Sequence, residues 1–445
     1  MRTLILLGVC IILVPIVVLS GEPATDVDRY WPQWRGPQAT GVAPNANPPV
    51  EWSQDKNIRW KLDVPGSGHA TPIVWENQIF VLTAIETDKT AETTPSDDHL
   101  PAWRRGRGNQ PENVLHFAVL AIDRKNGTVS WQRVAREELP HEGTHGTGSW
   151  ASNSAVTDGE HLYAYFGSRG LYCYDLQGNL KWEKDLGDMR TRHSFGEGSS
   201  PALHGDKLVI NWDHEGQSFI ITLDKNSGKE IWRKKRDERT SWSTPLVVEH
   251  QGKPQVIVSA TNRVRGYDLE TGDLIWECGG MTVNAIPSPV YSDGIVYVTS
   301  GYRGSSLKAI RLADAKGDIT DTDAVIWEHN RDTPYVPSPL LYKDAIYFLK
   351  VNKEILSCFN AKTGEKYYSQ KRLEGIKGVY ASPVGAADRV YFVGRNGVSV
   401  VIKHGPEFEV LATNTLDDGF DASPAIVDDE IYLRGREYLY CISRD

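Results

Sequence analysis

The segment Asp224-Lys-Asn-Ser-Gly-Lys-Glu-Ile-Trp232 decides the fold, because its pattern, Asp-x-x-x-Gly-x-x-x-Trp, recurs along the chain. An aspartate or asparagine hydrogen-bonds to the backbone two residues on, and glycine supplies the positive φ of a tight turn. Each copy therefore predicts two strands joined by a turn, with an aromatic ring that docks on a neighbour. The other copies are Asp123/Gly127/Trp131, Asp268/Gly272/Trp276, the one-residue-shorter Asp175/Gly178/Trp182 and the softened Asn360/Gly364/Tyr368.

A second repeated element is a proline or small residue followed by a short apolar strand. Its eight copies begin at Pro72, Ser154, Pro201, Pro245, Pro289, Pro339, Pro383 and Pro424. From Ser154 onward they are spaced by 47, 44, 44, 50, 44 and 41 residues, which is the spacing of four-stranded propeller blades. The sequence predicts an all-β, eight-bladed β-propeller of antiparallel blades.

The two ends of the repeat region are complementary. The last unit ends at Cys441-Ile442 without a Trp strand of its own, whereas Ile58-Arg-Trp60 is a Trp strand with no preceding unit. We therefore expect the propeller to span residues 58–445 and to be closed by the N-terminal strand. The first interval is 82 residues long, and we assign the excess to an inserted loop over residues 84–115.

These repeats resemble the PQQ-binding-like propeller repeats, known from quinoprotein alcohol dehydrogenases and from the propeller lipoprotein of the outer-membrane barrel assembly machinery. The resemblance covers essentially the whole chain after its leader. It implies the fold but not an activity, because the Asp/Gly/Trp motif is a packing device and members of this family include both enzymes and scaffolds.

The N-terminus has the pattern of an export signal. Met1 and Arg2 precede an apolar run from Leu4 to Leu19, with small residues before a cut after Ser20. We expect a signal peptide over residues 1–20, an N-terminal extension over 21–57, and a periplasmic or secreted monomer without a membrane span. The alternative is a retained anchor, although the run is short for a bilayer and is interrupted by Pro15.

Charge and cysteine content restrict the partners. The formal net charge of −9 argues against nucleic acid and against a polybasic membrane role. After the leader, Cys173, Cys358 and Cys441 occupy matching positions in separate repeats, and Cys278 lies in a Trp strand. Matching positions in different blades are too far apart for a disulfide.

One face of the predicted propeller is richer in functional side chains than the other. The turns between second and third strands and the loops between blades share this face, and there His, Trp, Tyr, Asn and Arg form a funnel around the channel. The alternative is that long loops merely solvate themselves. The candidate ligand-binding residues are His145, Arg169, His193, Asp213, His214, Trp242, Arg263, Asn284, Tyr302, Arg303, Asp332, Tyr335, Lys350, Arg395, Asp421 and Arg434.

Six of these candidates are cations placed in the turns between second and third strands. They are Arg169, Arg263, Arg303, Lys350, Arg395 and Arg434. If they converge on the channel mouth they suit a carboxylate, sulfate or phosphate. Equally, they could pair internally with acids on neighbouring loops, namely Asp213, Glu215, Asp332 or Asp421.

The segment His141-Glu-Gly-Thr-His145 matches the H-E-x-x-H pattern of zinc proteases. That chemistry needs a helix, but Pro140 precedes the segment and Gly143 interrupts it, so we expect a loop. Imidazoles from adjacent loops could still hold a metal ion. The candidates for such a site are His141, His145, His193 and His214.

Three functions fit the sequence. The first is a binding module that takes an anionic small molecule or polysaccharide, or another envelope protein, in the funnel. The second is a PQQ-dependent dehydrogenase with calcium, although the resemblance does not extend to calcium ligands that can be matched residue by residue. The third is an enzyme that binds or cleaves an anionic polysaccharide, with His or Tyr as acid and base.

Overall fold

Eight antiparallel sheets follow one another around a common axis, with the first strand of each sheet next to the first strands of its neighbours. The computed structural model describes residues 26–90 and 109–444. The expected signal peptide therefore lies outside the described residues. Seven sheets have four strands, and the fourth gains a short parallel strand, Gly317–Asp318, on its outer edge. The predicted eight-bladed propeller is confirmed.

Blades 1 to 4 are continuous in sequence. Blade 1 consists of Ile73–Trp75, Gln78–Thr90, Asn113–Asp123 and Val129–Glu138. Blade 2 consists of Val156–Thr157, His161–Tyr165, Leu171–Asp175 and Leu180–Lys184. Blade 3 consists of Ala202–His204, Lys207–Trp212, Phe219–Asp224 and Glu230–Lys235. Blade 4 consists of Leu246–His250, Lys253–Val258, Val264–Asp268 and Leu274–Cys278.

Blades 5 to 8 complete the ring. Blade 5 consists of Val290–Ser292, Ile295–Ser300, Ser306–Arg311 and Val325–His329. Blade 6 consists of Leu340–Tyr342, Ala345–Leu349, Ile355–Asn360 and Lys366–Arg372. Blade 7 consists of Val384–Ala386, Arg389–Val393, Val398–Lys403 and Val410–Thr415. Blade 8 consists of Ala425–Val427, Glu430–Arg434, Tyr438–Ser443 and, from the N-terminus, Ile58–Asp63.

Blade 8 closes the ring as expected from the sequence. Its outer strand, Ile58–Asp63, pairs antiparallel with Tyr438–Ser443, and Trp60 lies opposite Cys441. This pairing joins the two ends of the chain and leaves no unpaired seam in the ring.

At five places in the ring a tryptophan of one blade docks on the glycine turn of the next blade. The indole N–H of Trp182 donates to the Lys225 carbonyl at 3.0 Å, and its ring covers Gly228, where a Cβ atom would lie 2.7 Å from the ring. Four other rings dock in the same way, namely Trp60 on Gly127, Trp131 on Gly178, Trp232 on Gly272 and Trp327 on Gly364. The Asp/Gly/Trp motif is therefore an inter-blade contact.

A ring of hydroxyl groups joins the blades nearest the axis. The hydroxyl collar, as we name it, contains one Ser or Thr just before or at the start of each first strand. A backbone N–H of each member donates to the hydroxyl oxygen of the next, at 2.8–3.2 Å, in seven successive pairs. Its members are Thr71, Ser154, Ser200, Thr244, Ser288, Ser338, Ser382 and Ser423.

The N-terminal extension closes the lower end of the channel. After a short helix, Asp26–Arg29, the chain pairs through Trp31 with Val74 in the first strand of blade 1. The Trp34 indole then donates to Ser288 Oγ at 3.1 Å. The buried Arg35 guanidinium donates to carbonyl oxygens before blades 6 and 7, at Pro339 and Pro383.

The expected inserted loop is shorter than residues 84–115. The second strand of blade 1 runs on to Thr90 and the third begins at Asn113, so the flanks of the insertion extend the sheet. Residues 91–108 lie outside the described residues. Within the described ranges no helix has the length and apolar character needed to cross a bilayer. Cys173, Cys278, Cys358 and Cys441 are buried free thiols.

We predict that Gly228→Ala lowers thermal stability much more than Gly205→Ala. Both glycines have positive φ, +66° and +57°, so each variant carries a backbone cost of about 1–2 kcal/mol. Only at Gly228 would the new Cβ also clash with a docked indole, whereas nothing lies within 4 Å at Gly205. Thermal unfolding followed by circular dichroism measures the difference. Equal shifts in melting temperature would contradict the docking role of Gly228.

Candidate functional site

A blind pocket of about 230 Å³ occupies the upper end of the channel. We call the face with the inter-blade loops the upper face. Trp34 forms the floor of the pocket, and every inter-blade loop contributes to its wall. The side chains that line it are Trp34, His69, His145, Thr147, Ser152, Phe195, Glu197, Ser200, Trp242, Thr244, Ile286, Ser288, Tyr335, Val336, Ser338, Tyr380, Ser382, Asp421 and Ser423.

Asp421 forms the centre of an ion-pair cluster in the pocket wall, where the loops before blades 8 and 1 lie side by side. Asp421 binds both Arg395 and Arg436, the latter at 3.1 Å, and one of its oxygens lies 3.8 Å from His69 Nε2. Burial lowers the pKa of His69, and the nearby arginines act in the same direction while Asp421 opposes them. His69 is therefore a neutral imidazole at pH 7.

A hydrogen-bonded chain crosses the pocket mouth. Thr147 Oγ1 lies 2.8 Å from His145 Nδ1 and 3.1 Å from the Tyr380 hydroxyl. The Thr147 backbone N–H also donates to Nδ1. Thr147 precedes blade 2 and Tyr380 precedes blade 7, so the chain joins loops from different sides of the ring. The guanidinium of Arg395 packs over the Tyr380 ring at 4.1 Å.

The wall formed by the loops before blades 3 and 4 is fixed by internal hydrogen bonds. Glu197 accepts from the backbone N–H and hydroxyl of Ser168, each at 2.6 Å, and pairs with Arg169. The Trp242 indole donates to the Gly196 carbonyl at 2.7 Å. Since these polar groups are satisfied, this wall offers mainly aromatic surface to the cavity.

Four predicted site residues line the pocket, namely His145, Trp242, Tyr335 and Asp421. Two others support its wall, because Tyr302 stacks on Tyr335 at 4.7 Å and Asn284 hydrogen-bonds to it. His193 packs edge-on against the pocket residue Phe195. The ligand-binding role of these residues stays a prediction.

The predicted cations do not meet as a bare cluster at the channel mouth. Internal pairing holds four of them, as Arg169 with Glu138 and Glu197, Arg263 with Glu277 and Asp318, Lys350 with Asp332, and Arg395 with Asp421. Arg303 is exposed beside the Tyr302 ring. Most of these cations therefore form internal ion pairs, which is one of the two arrangements that the sequence allowed.

Arg434 differs from its expected place in a turn. It is the last residue of the strand Glu430–Arg434, is 1% exposed, and none of its guanidinium nitrogens has a hydrogen-bond partner in the described structure. Burial lowers its pKa to about 10. The turn position belongs to Arg436, which follows one glycine later and binds Asp421.

Asp213 and His214 are structural in this fold. Asp213 forms a fully buried bidentate pair with Arg236 at 2.7 and 3.0 Å. His214 Nδ1 accepts the backbone N–H of Arg190. Neither side chain lines the blind pocket. Asp213 instead binds the residue that follows blade 3, and His214 binds the loop that precedes it.

The candidate metal ligands do not assemble into a site. His141 contacts the Met189 carbonyl at 2.6 Å, away from His145 at the pocket mouth. The part of the chain that the structure describes has no group of three or more His, Cys, Asp or Glu placed to hold a metal ion. Residues 141–145 form no helix, and the Glu142 carboxylate is buried against Thr191.

The pocket does not fit the calcium-bound PQQ of quinoprotein dehydrogenases. Calcium takes six to eight oxygen ligands, with several carboxylates. The carboxylates in the described lining are Asp421 and Glu197, and each is already held by arginine. We derive no reaction through this cofactor.

Comparison with known families agrees with the fold. A family model described as "Outer membrane protein assembly factor BamB" matches residues 47–197 and 220–445. The chain belongs to this PQQ-repeat family. Curated relatives with the same description, from Francisella salina and Francisella tularensis, are 26% and 27% identical over 109 and 125 residues. These matches cover about a quarter of this chain and only 18% and 25% of the relatives.

Solved structures show the same architecture. BamB from Moraxella catarrhalis aligns with a TM-score of 0.53 and 14% identity over 81% of this chain and 100% of its own. The quinohemoprotein alcohol dehydrogenase from Comamonas testosteroni aligns with a TM-score of 0.62 and 10% identity, over 94% of this chain and 81% of its own. At these identities the likeness concerns the fold alone.

Several pocket residues were missed by sequence reasoning. His69, Trp34 and Tyr380 lie in loops or in the extension, outside the repeat motifs. The hydroxyl collar had a detectable signal, because a Ser or Thr directly precedes all seven of the repeated prolines. Trp34 had none, since nothing in the repeat pattern tells where the extension crosses the ring.

We predict that Asp213→Asn destabilises the protein by about 3–5 kcal/mol, because it leaves the buried Arg236 charge uncompensated. The matched control is Asp388→Asn, which breaks the exposed pair with Lys343 and should cost less than about 1 kcal/mol. Chemical denaturation measures both variants. A loss at Asp213 as small as that at Asp388 would refute the structural role of the buried pair.

We predict that the free energy of unfolding decreases between pH 4.5 and pH 7 because of Glu142, whose side chain connects two loops of the pocket. Burial raises the pKa of Glu142 from 4.5 to about 7, with Glu197 acting in the same direction and Thr191 opposing. The folded protein then binds a proton that the unfolded chain has lost, so rising pH favours unfolding by on the order of 3 kcal/mol in total. The test is denaturation of wild type and Glu142→Gln at both pH values. A pH dependence unchanged in the variant would contradict this assignment.

Proposed function

We propose that the protein is a non-catalytic binding module of the cell envelope that engages its partner through the upper face. The observation that carries this proposal is the blind pocket, to which all eight inter-blade loops contribute. Concave sites with aromatic walls and a few placed polar groups are the usual form of binding sites.

The charged groups of the pocket favour binding over catalysis. Asp421 is held by two arginines, and Glu197 by Arg169 and Ser168. A general acid or base needs a group that is free to exchange a proton with the substrate. Carboxylates that are held in ion pairs are poor proton donors and acceptors, and here they hold the loops in position.

Family membership supports an envelope setting. The relatives that match the chain are named outer membrane protein assembly factors, so we propose that the partner docked on the upper face is another envelope protein. The lower face suits this role less well, because its turns are short and the N-terminal extension crosses its centre. We propose a periplasmic or secreted location accordingly.

Site-specific photo-crosslinking tests this proposal. Arg303 is exposed on the upper face, in the turn after the second strand of blade 5. Replacing it with p-benzoylphenylalanine in cells of the source organism should give a discrete adduct with an envelope protein. The control is the same replacement at Lys125, which is exposed in a lower-face turn of blade 1. Adducts of equal yield from both positions, or from Lys125 alone, would refute the proposal.

A further inference from the structure

The blind pocket is small and is closed at its lower end. Its volume is about 230 Å³, below the roughly 300–1,000 Å³ of a site for a drug-sized ligand. Trp34 is the floor, and its indole donates to Ser288 Oγ at 3.1 Å. Arg35 fixes the same segment to carbonyl oxygens before two blades. The pocket therefore takes a small molecule or the end of a chain, and not a polymer threaded through the ring.

The base of the wall is a ring of hydroxyl donors. Each of the six collar members that line the pocket accepts a backbone N–H from the blade before it. A hydroxyl that accepts still has one hydrogen to donate. Within residues 26–90 and 109–444 none of the six donates to another protein group, so their O–H groups are available to an occupant. They are Ser200, Thr244, Ser288, Ser338, Ser382 and Ser423.

The same wall also offers hydrogen-bond acceptors. A carboxylate has about four lone-pair sites, and Asp421 uses one on each oxygen to bind Arg395 and Arg436. His69 Nε2 lies 3.8 Å from Asp421 Oδ2, which is too long for a hydrogen bond. Both Asp421 and His69 line the pocket and can bind a hydroxyl group there. The pocket therefore has donors around its base and acceptors on one side.

Aromatic rings form another part of the wall. Trp242, Tyr335 and Tyr380 reach the pocket from three different inter-blade loops. The Trp242 N–H donates to the Gly196 carbonyl at 2.7 Å, and the Tyr335 ring stacks on Tyr302 with centroids 4.7 Å apart. Because neighbouring groups hold these rings in place, their apolar faces can pack against the C–H groups of a sugar ring.

The charge of the lining favours an uncharged ligand. Among the described residues no lysine or arginine lines the pocket, and its acidic side chains are Asp421 and Glu197. An anion would therefore lie against carboxylates. A cation would gain little from them, because arginines behind the wall already neutralise both. A neutral molecule avoids the first penalty and does not need the second attraction.

We propose that the blind pocket binds an uncharged hexose at the end of a glycan. A sugar hydroxyl both accepts and donates hydrogen bonds. Its oxygens would accept from the collar, an O–H group would donate to Asp421, and the C–H face of the ring would pack on Trp242 or Tyr335. This inference rests on the proposed role of the upper face in binding, but not on which envelope protein docks there.

The end of a peptide fits this pocket less well than a hexose does. An apolar side chain would leave the collar's O–H donors without acceptors, and each buried unsatisfied donor is costly. A C-terminal carboxylate would accept from the collar, but it would share the pocket with Asp421 and Glu197. A hexose carries oxygens around its ring without a charge, so it can satisfy donors that are arranged in a circle.

Calorimetric titration of the purified protein tests this assignment. The probes are the neutral trisaccharides of glucose, mannose and galactose, the acidic trisaccharide of galacturonic acid, and a tripeptide with a C-terminal phenylalanine. We expect saturable binding of at least one neutral trisaccharide, with an affinity that added salt leaves nearly unchanged. The acidic trisaccharide should bind roughly tenfold more weakly than the best neutral one, because its carboxylates meet those of the pocket.

A pair of collar variants tests whether the sugar occupies this pocket. Ser382 lines the pocket and accepts the Ser338 N–H at 2.9 Å. Ser154 accepts the Thr71 N–H at 3.0 Å in the same collar but does not line the pocket. Ser382→Ala and Ser154→Ala each lose one inter-blade hydrogen bond, so their melting temperatures should fall alike. Only Ser382→Ala should weaken binding of the neutral sugar, by roughly five- to tenfold.

Three results would overturn the inference. They are no binding of any neutral trisaccharide, tighter binding of the acidic trisaccharide or of the tripeptide, and equal sugar affinity in the two serine variants. The photo-crosslinking test at Arg303 does not depend on sugar binding, so the proposal of an envelope protein partner fails or stands separately.

Discussion

The hydrogen bond from a backbone N–H of one blade to a Ser or Thr hydroxyl of the next is the contact on which the centre of this propeller depends. Strands near the axis crowd together, and their backbone donors must be satisfied without bulky side chains. A hydroxyl does this with one short side chain and keeps a hydrogen for the channel. Six of the eight collar positions therefore both join the blades and line the pocket.

A second contact acts at larger radius. There the tryptophan of one blade lies on the glycine turn of the next, and its N–H bonds to a backbone carbonyl. The wedge-shaped gap between blades widens away from the axis, so a large ring fills the outside where a hydroxyl suffices inside. Blade 4 is the exception, because Trp276 bonds to Gln255 within its own blade. Blade 5 lacks the motif and instead carries the strand Gly317–Asp318, which pairs with blade 4.

The sequence predicted the architecture because repeated packing contacts leave a repeated pattern. Blade number and closure through Trp60 followed from the spacing of the repeats. The site was harder to predict, because loops carry no period and charges choose partners by geometry. Arg434 illustrates this. The strand Glu430–Arg434 continues into the expected turn, so Arg434 is buried and Arg436 occupies the turn instead. Asp213 shows the same limit, because its partner Arg236 lies two strands further along the chain, directly after Glu230–Lys235.

Closure between the chain ends also sets the order in which this protein can become functional. The strand Ile58–Asp63 is synthesised long before its partner, Tyr438–Ser443. His69 and Asp421, which approach within 3.8 Å in the pocket wall, are separated by most of the chain. Before that strand is added, the incomplete ring thus has neither the pairing of blade 8 nor its complete pocket wall. The ring around the upper pocket is therefore complete only when the strand Tyr438–Ser443 has joined blade 8.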